Sequence, residues 1–129
     1  MAVLELRVLG GLEDQERAQL LTDVHRSLVE VLRVPDDDPT VLITDIDPDS
    51  AIAPGGRSSY ALATVTMFSG RSRETIARLI ERLQGAVGGA TRLAPDDVTV
   101  VVLQSPRSCW SAPGGPTAAD VDLGFEVEI

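Results

Sequence analysis

The sequence is poor in cysteine, in basic charge and in long apolar runs, and each shortage removes a class of function. A single cysteine, Cys109, cannot form an intrachain disulfide, so the framework logic of small secreted proteins does not apply and a reducing cytoplasm is the expected setting. Eleven basic residues stand against twenty acidic ones, and the net charge of −9 repels phosphate backbones and anionic lipid surfaces. Neither nucleic acid nor a membrane is an expected partner. No apolar stretch approaches the ~18 residues of a membrane span, and MAVLELRVLGG at the amino terminus has no basic region or cleavage site.

Metal and phosphate chemistry also lack their parts. His25 is the only histidine, and no Ser, Cys or Glu lies at a spacing that would make it a triad member, which leaves it as a helix-flank residue. Cys109 has no second histidine to activate it. Asp45-Ile46-Asp47-Pro48-Asp49 begins like a calcium loop, but Ser50 and Gly56 stand where such a loop needs glycine and glutamate. The two Ala-Pro-Gly-Gly stretches lead into no helix with a phosphate-loop ending. No metal and no cofactor is expected.

What the sequence does have is a duplication. Shifting the chain by 59 positions pairs Gly11 with Gly70, Leu20 with Leu79, Arg33 with Arg92, Asp38 with Asp97, and Ala53-Pro54-Gly55-Gly56 with Ala112-Pro113-Gly114-Gly115. Each half opens on a strand pattern (3–9 and 60–68), turns at glycine, and continues into an amphipathic helix. The helical stripes are Leu20, Leu21, Val24, Leu28 and Leu32, then Ile76, Leu79, Ile80, Leu83 and Val87. Pro-Asp clusters at 34–39 and 94–98 end the helices, and second strands follow at 40–46 and 98–103. The expectation is an α+β fold in 129 residues: one domain of two βαβ repeats, about 1–58 and 59–115, giving a four-stranded mixed sheet with two helices on one face. Strict alternation in the tail 121–129 predicts a further strand at an edge. The segments VLI and VTVVVL are apolar on both faces, so the uncovered side of the sheet calls for another copy of the chain.

The turn Gly70-Arg71-Ser72, the segment Gly56-Arg57-Ser58-Ser59, the run Pro95-Asp96-Asp97-Val98 and Trp110-Ser111, set on this repeat, resemble the tautomerase superfamily, whose type member is 4-oxalocrotonate tautomerase. Within it, the separations are most similar to malonate semialdehyde decarboxylase and its relatives. The resemblance implies a homotrimer packed around a central axis, with an active site at the amino-terminal end of the first strand. It implies proton transfer on a small organic acid or 1,3-dicarbonyl compound, an isomerase or, by decarboxylation, a lyase. It also implies an amino-terminal catalytic proline, where this chain has Ala2. If Met1 is removed, the Ala2 amine takes that place; if Met1 stays, the amine is displaced by one residue. Of two arginines in the decarboxylase-like turn, Arg71 matches one and Ser69 falls on the other, with Arg73 a substitute from further into the helix. Asp38 matches a catalytic aspartate, although its repeat partner Asp97 also suits a structural role at the turn. Trp110 belongs, by the resemblance, to the wall of the pocket.

Residue chemistry adds to this at Arg71, whose guanidinium fork beside the free amides of a helix start suits a carboxylate. Its repeat partner is Leu12, so only one site per chain keeps the cation. A neutral reading of Arg71 pairs it with Glu74 or Asp97. Two other functions compete with catalysis: a non-catalytic trimer that binds a small acid or a partner protein, and a ligand-sensing module of the ferredoxin-like kind.

Overall fold

A computed structural model describes all residues 1–129. Strands and helices alternate as β1 (Ala2–Leu9), α1 (Asp14–Leu32), β2 (Thr40–Ile46), β3 (Tyr60–Phe68), α2 (Arg73–Ala90) and β4 (Val98–Ser105). The sheet order is β2-β1-β3-β4, with β1 parallel to β2, β3 parallel to β4, and the two βαβ units joined antiparallel through β1 and β3. Each unit is one copy of the duplicated sequence.

The strand period of two decides which side chains the helices cover. Register places Val41, Leu4, Val65 and Val102 in one row across the sheet and Ile43, Leu6, Ala63 and Val100 in the next. Against this face pack Leu20, Val24, Leu28 and Leu32 from α1 and Leu79, Leu83 and Val87 from α2, all buried. Small residues at Ala61 and Ala63 on β3 alternate with bulky Leu4 and Leu6 on β1 within the same core.

The opposite face has no helix. Leu42, Glu5, Thr64 and Val101 form one row of it, and Thr40, Val3, Thr66 and Leu103 another. Leu42 and Leu103 are half-exposed there. The face is less uniformly apolar than the run VTVVVL implies, because threonines and the Glu5–Arg7 pair, 3.7 Å apart, interrupt it.

The tail departs from expectation. Residues 121–129 form no strand and pair with no ladder. The chain turns at Gly124 (φ 75°) and buries Val127 against Phe68 and Ala118, so packing on the outside of the sheet's end, not strand pairing, uses the apolar alternation. Its final carbonyl, on Ile129, accepts the Thr75 hydroxyl at 2.6 Å and lies 3.0 Å from the Ser72 Oγ, at the start of α2. Ser72 is also the N-cap, its Oγ accepting the Thr75 amide at 3.2 Å.

Gly70 is where these segments meet. Its φ is 129°, and a Cβ there would lie 3.1 Å from the Val127 Cγ1. Gly70→Ala is therefore expected to lose about 1–3 kcal/mol of stability through backbone strain and displacement of the tail. Gly11→Ala, with no atom within 4 Å of the added carbon, is the comparison and is expected to lose less. Urea unfolding of the two variants checks the difference, and equal losses would contradict it.

Candidate active site

Topology brings four separate segments to one end of the sheet. Because β1 and β3 are antiparallel, Ala2 pairs with Met67, and the start of β1 sits beside the exit of β3 towards α2. Because β2 runs with β1, Thr40 pairs with Val3, and the turn before β2 arrives at the same end. Ser105 pairs with Phe68, so the chain leaving β4 arrives there too. These segments carry Met1, Arg71, Asp38, and Arg107 with Trp110.

Arg71 is a buried cation, 5% exposed. Its Nη1 donates to the Phe68 carbonyl at 3.3 Å, while Nε and Nη2 are buried without a partner. Burial pushes its pKa down from the ordinary arginine value, and the Asp38 carboxylate opposes that shift. It pairs with neither Glu74 nor Asp97, which removes the neutral reading; Asp97 is held by Arg57 Nε at 2.9 Å.

Asp38 has both roles open to it. Its amide donates to the Pro35 carbonyl at 3.0 Å, and the same turn recurs in the second half, where the Asp97 amide donates to the Ala94 carbonyl at 2.9 Å. The side chains then diverge. The Asp38 carboxylate is nearly buried, with Oδ1 3.5 Å from the Met1 amine and Oδ2 without a partner. The opposite end of the sheet thus has an arginine on its aspartate, and Leu12, from the first half, holds the position that Arg71 has in the repeat.

The α-amine is on Met1, one residue beyond Ala2, which is buried as the first residue of β1. Displacement by one residue does not take it out of the cluster. Burial is the main cause that brings its pKa from 8.0 down to about 6; Asp38 raises it by charge and by hydrogen bonding, and the nearby Arg71 and Arg107 lower it. At neutral pH the amine is mostly unprotonated and can accept a proton.

Trp110 meets Phe68 edge-on, ring centroids 5.2 Å apart at 78°, and its indole Nε1 is buried without a partner. Ser69 is exposed and lines an outer cleft with Arg107. Arg73, the first residue of α2, is exposed and bonds to none of these groups, since the N-cap has already set the helix path and carries it outward. Arg107 was not legible in the sequence: it sits on a short turn after β4, and its repeat partner is Pro48, so the duplication gives no signal there. Elsewhere, His25 Nε2 bonds the Asp36 carbonyl at 2.7 Å, tying α1 to the turn that carries Asp38.

Two family models, each described as a tautomerase enzyme, match residues 38–112 and 3–60. The chain belongs to the tautomerase family. Among curated proteins no sequence matches significantly. Solved structures share the fold. The Q0 fused 4-OT wild-type symmetric trimer superposes with a TM-score of 0.84 at 23% identity, covering 91% of this chain and 96% of its own. Pt0534 inactivated by 2-oxo-3-pentynoate gives 0.86 at 20%, covering 92% and 97%. FG41 malonate semialdehyde decarboxylase inhibited by 3-bromopropiolate gives 0.76 at 24%, covering 90% and 92%. No helix of this tautomerase-family chain is long and apolar enough to cross a membrane.

The chain contains no lysine, so the α-amine is its only primary amine and can be titrated by its rate of acetylation, read by intact mass. A midpoint near 6 is expected. Asp38→Asn removes the contributions that raise the pKa and shifts the midpoint lower; Arg71→Met shifts it higher. Since the folded pKa lies below the unfolded 8.0, the folded state binds fewer protons in between, and stability rises with pH from about 6 to 8. A midpoint near 8 that neither substitution moves would contradict the geometry.

Proposed function

We propose that this chain is a tautomerase that moves a proton between oxygen and carbon of a small carboxylate-bearing or 1,3-dicarbonyl substrate. The observation that carries the reading is a half-buried amine, unprotonated near neutrality, beside a buried guanidinium with two free N–H donors. In the ketonisation direction the neutral amine takes the enol O–H proton, Arg71 stabilises the enolate charge, and the ammonium returns the proton to carbon. Asp38 holds the amine in place, and Trp110 with Phe68 keeps water scarce. The amine is on Met1 or, after methionine excision, on Ala2, and intact mass of the native protein decides which.

Decarboxylation of a β-keto acid is the second reading. It passes through the same enolate, and the buried, partnerless Asp38 Oδ2 suits a role in polarising the departing carboxylate or a water. Likeness to a decarboxylase fold supports it only as analogy. Either chemistry needs no cofactor from this site and fits a cytoplasmic protein with a free thiol.

The working form is a homotrimer in this proposal. Leu42, Val101 and Leu103 on the uncovered sheet face support it, as do the trimeric fused 4-OT structures of the same fold. Sedimentation equilibrium is expected to give three copies for the native chain and one for Leu103→Asp; a monomeric native chain would contradict the assembly.

Ketonisation of phenylenolpyruvate tests the catalysis. The native protein is expected to accelerate it with an acid limb near pH 6, and Arg71→Met to lower kcat/KM by about 10²-fold or more. No acceleration of any enol, with small acids still bound, would leave the non-catalytic acid-binding reading in its place.

A further inference from the structure

The Asp38 carboxylate lies against the α-amine, yet no other side chain anchors it. Oδ1 is 3.5 Å from the Met1 amine and Oδ2 is buried without a partner, so the place of the carboxylate is set by its backbone. That backbone is the turn 34–39 between α1 and β2, in which Pro35 and Pro39 have no amide to give to a neighbouring element. Inside it the Asp38 amide donates to the Pro35 carbonyl at 3.0 Å, which shapes the turn without fixing it to the rest of the protein. Val34 is buried at its root. Beyond that, the tie comes from α1, where His25 Nε2 donates to the Asp36 carbonyl at 2.7 Å. A carbonyl only accepts, so Nε2 carries the hydrogen.

The duplication carries the same tie twice. Shifted by 59 positions, His25 falls on Gln84 of α2. Gln84 Nε2 donates to the Val98 carbonyl at 3.3 Å, directly after the Pro95-Asp96-Asp97 turn that repeats the one before β2. Both copies therefore reach from the helix to the backbone beside the pre-strand aspartate with a nitrogen donor, although the residue types differ. What the two ties hold is not the same. The carbonyl bonded by His25 is close in the chain to Asp38, whose carboxylate faces the amine, whereas Asp97 is already taken by Arg57 Nε at 2.9 Å. An open groove along α1 and β2, lined by Thr22, Val29, Glu30 and Val41, leaves the first turn room to relax once its tie is cut.

We propose that His25 is a positioning residue for Asp38: it pins the turn at Asp36 so that the carboxylate stays against the α-amine, while touching neither the amine nor the substrate. The proposal rests on the reading of the amine and Asp38 as parts of one catalytic site. It gives the chain's single histidine a task that needs no nucleophile beside it.

The α-amine, the chain's only primary amine, is the reporter, titrated by its rate of acetylation and read by intact mass. His25→Leu is expected to shift the midpoint lower, in the direction of Asp38→Asn, and to reduce kcat for phenylenolpyruvate on the order of tenfold with KM within about twofold. His25→Gln supplies the donor that the second copy uses, and it should restore the native midpoint and a kcat within about twofold of native. Gln84→Leu is the control: it cuts the corresponding tie at the other end and should lower Tm as His25→Leu does while leaving midpoint and kcat native. In an Asp38→Asn background, His25→Leu should move the midpoint no further. A midpoint that His25→Leu leaves in place, that Gln84→Leu or His25→Gln moves equally, or that shifts additively on top of Asp38→Asn overturns the proposal. The catalytic reading fails separately: if no enol is ketonised but the midpoint follows this pattern, the positioning of Asp38 stands without the chemistry.

Discussion

The functional end of this protein depends on keeping one guanidinium out of water beside an amine that is itself half-buried. Arg71 is 5% exposed, and only one of its three nitrogens has a partner in the protein. A desolvated cation with free donors lowers the proton affinity of a neighbouring amine and raises the affinity of the same space for an acid. Asp38 moderates both effects, since its carboxylate faces the amine and Arg71 together. The amine's own burial is the main cause that holds it near neutrality, and the charge of Arg71 adds to that effect in the same cluster as the unfilled fork and the half-satisfied aspartate.

The fold makes that burial possible by antiparallel joining of two copies of a parallel unit. Each copy places its strand start, its pre-strand aspartate turn and the other copy's strand exit at one end of the sheet. Two such ends exist, and they have diverged. At one, the backbone turn carries a free aspartate beside an amine; at the other, Asp97 is taken by Arg57 and the cation's position holds Leu12. The tail reinforces the difference, because Val127 and the Ile129 carbonyl close over the Gly70 turn only at the first end.

Much of this was legible in the chain because the periodicities are strong. The stripes Leu20 to Leu32 and Leu79 to Val87 specify helices that bury one face, and the duplication supplies the pairing of units and the asymmetry between Arg71 and Leu12. Arg107 was not legible because its position depends on a reversal of the chain after β4, which no local period records. The tail misled for a related reason: alternation identifies which residues are buried, not whether a ladder or a packed hollow buries them. Gly124 at φ 75° and the grip of Arg107 on the Ala118 and Val121 carbonyls decide that, and both are tertiary facts.

The central claim is that an acid-binding guanidinium and a reactive amine share one guest. Treatment with 2-oxo-3-pentynoate, the compound that inactivates Pt0534, tests it directly, because a lysine-free chain offers the reagent one primary amine. Intact mass and peptide mapping should show one adduct per chain, on the amino-terminal residue, with formation slowed by competing small acids and by Arg71→Met. No adduct at that amine, or labelling confined to the exposed Cys109, would contradict the account.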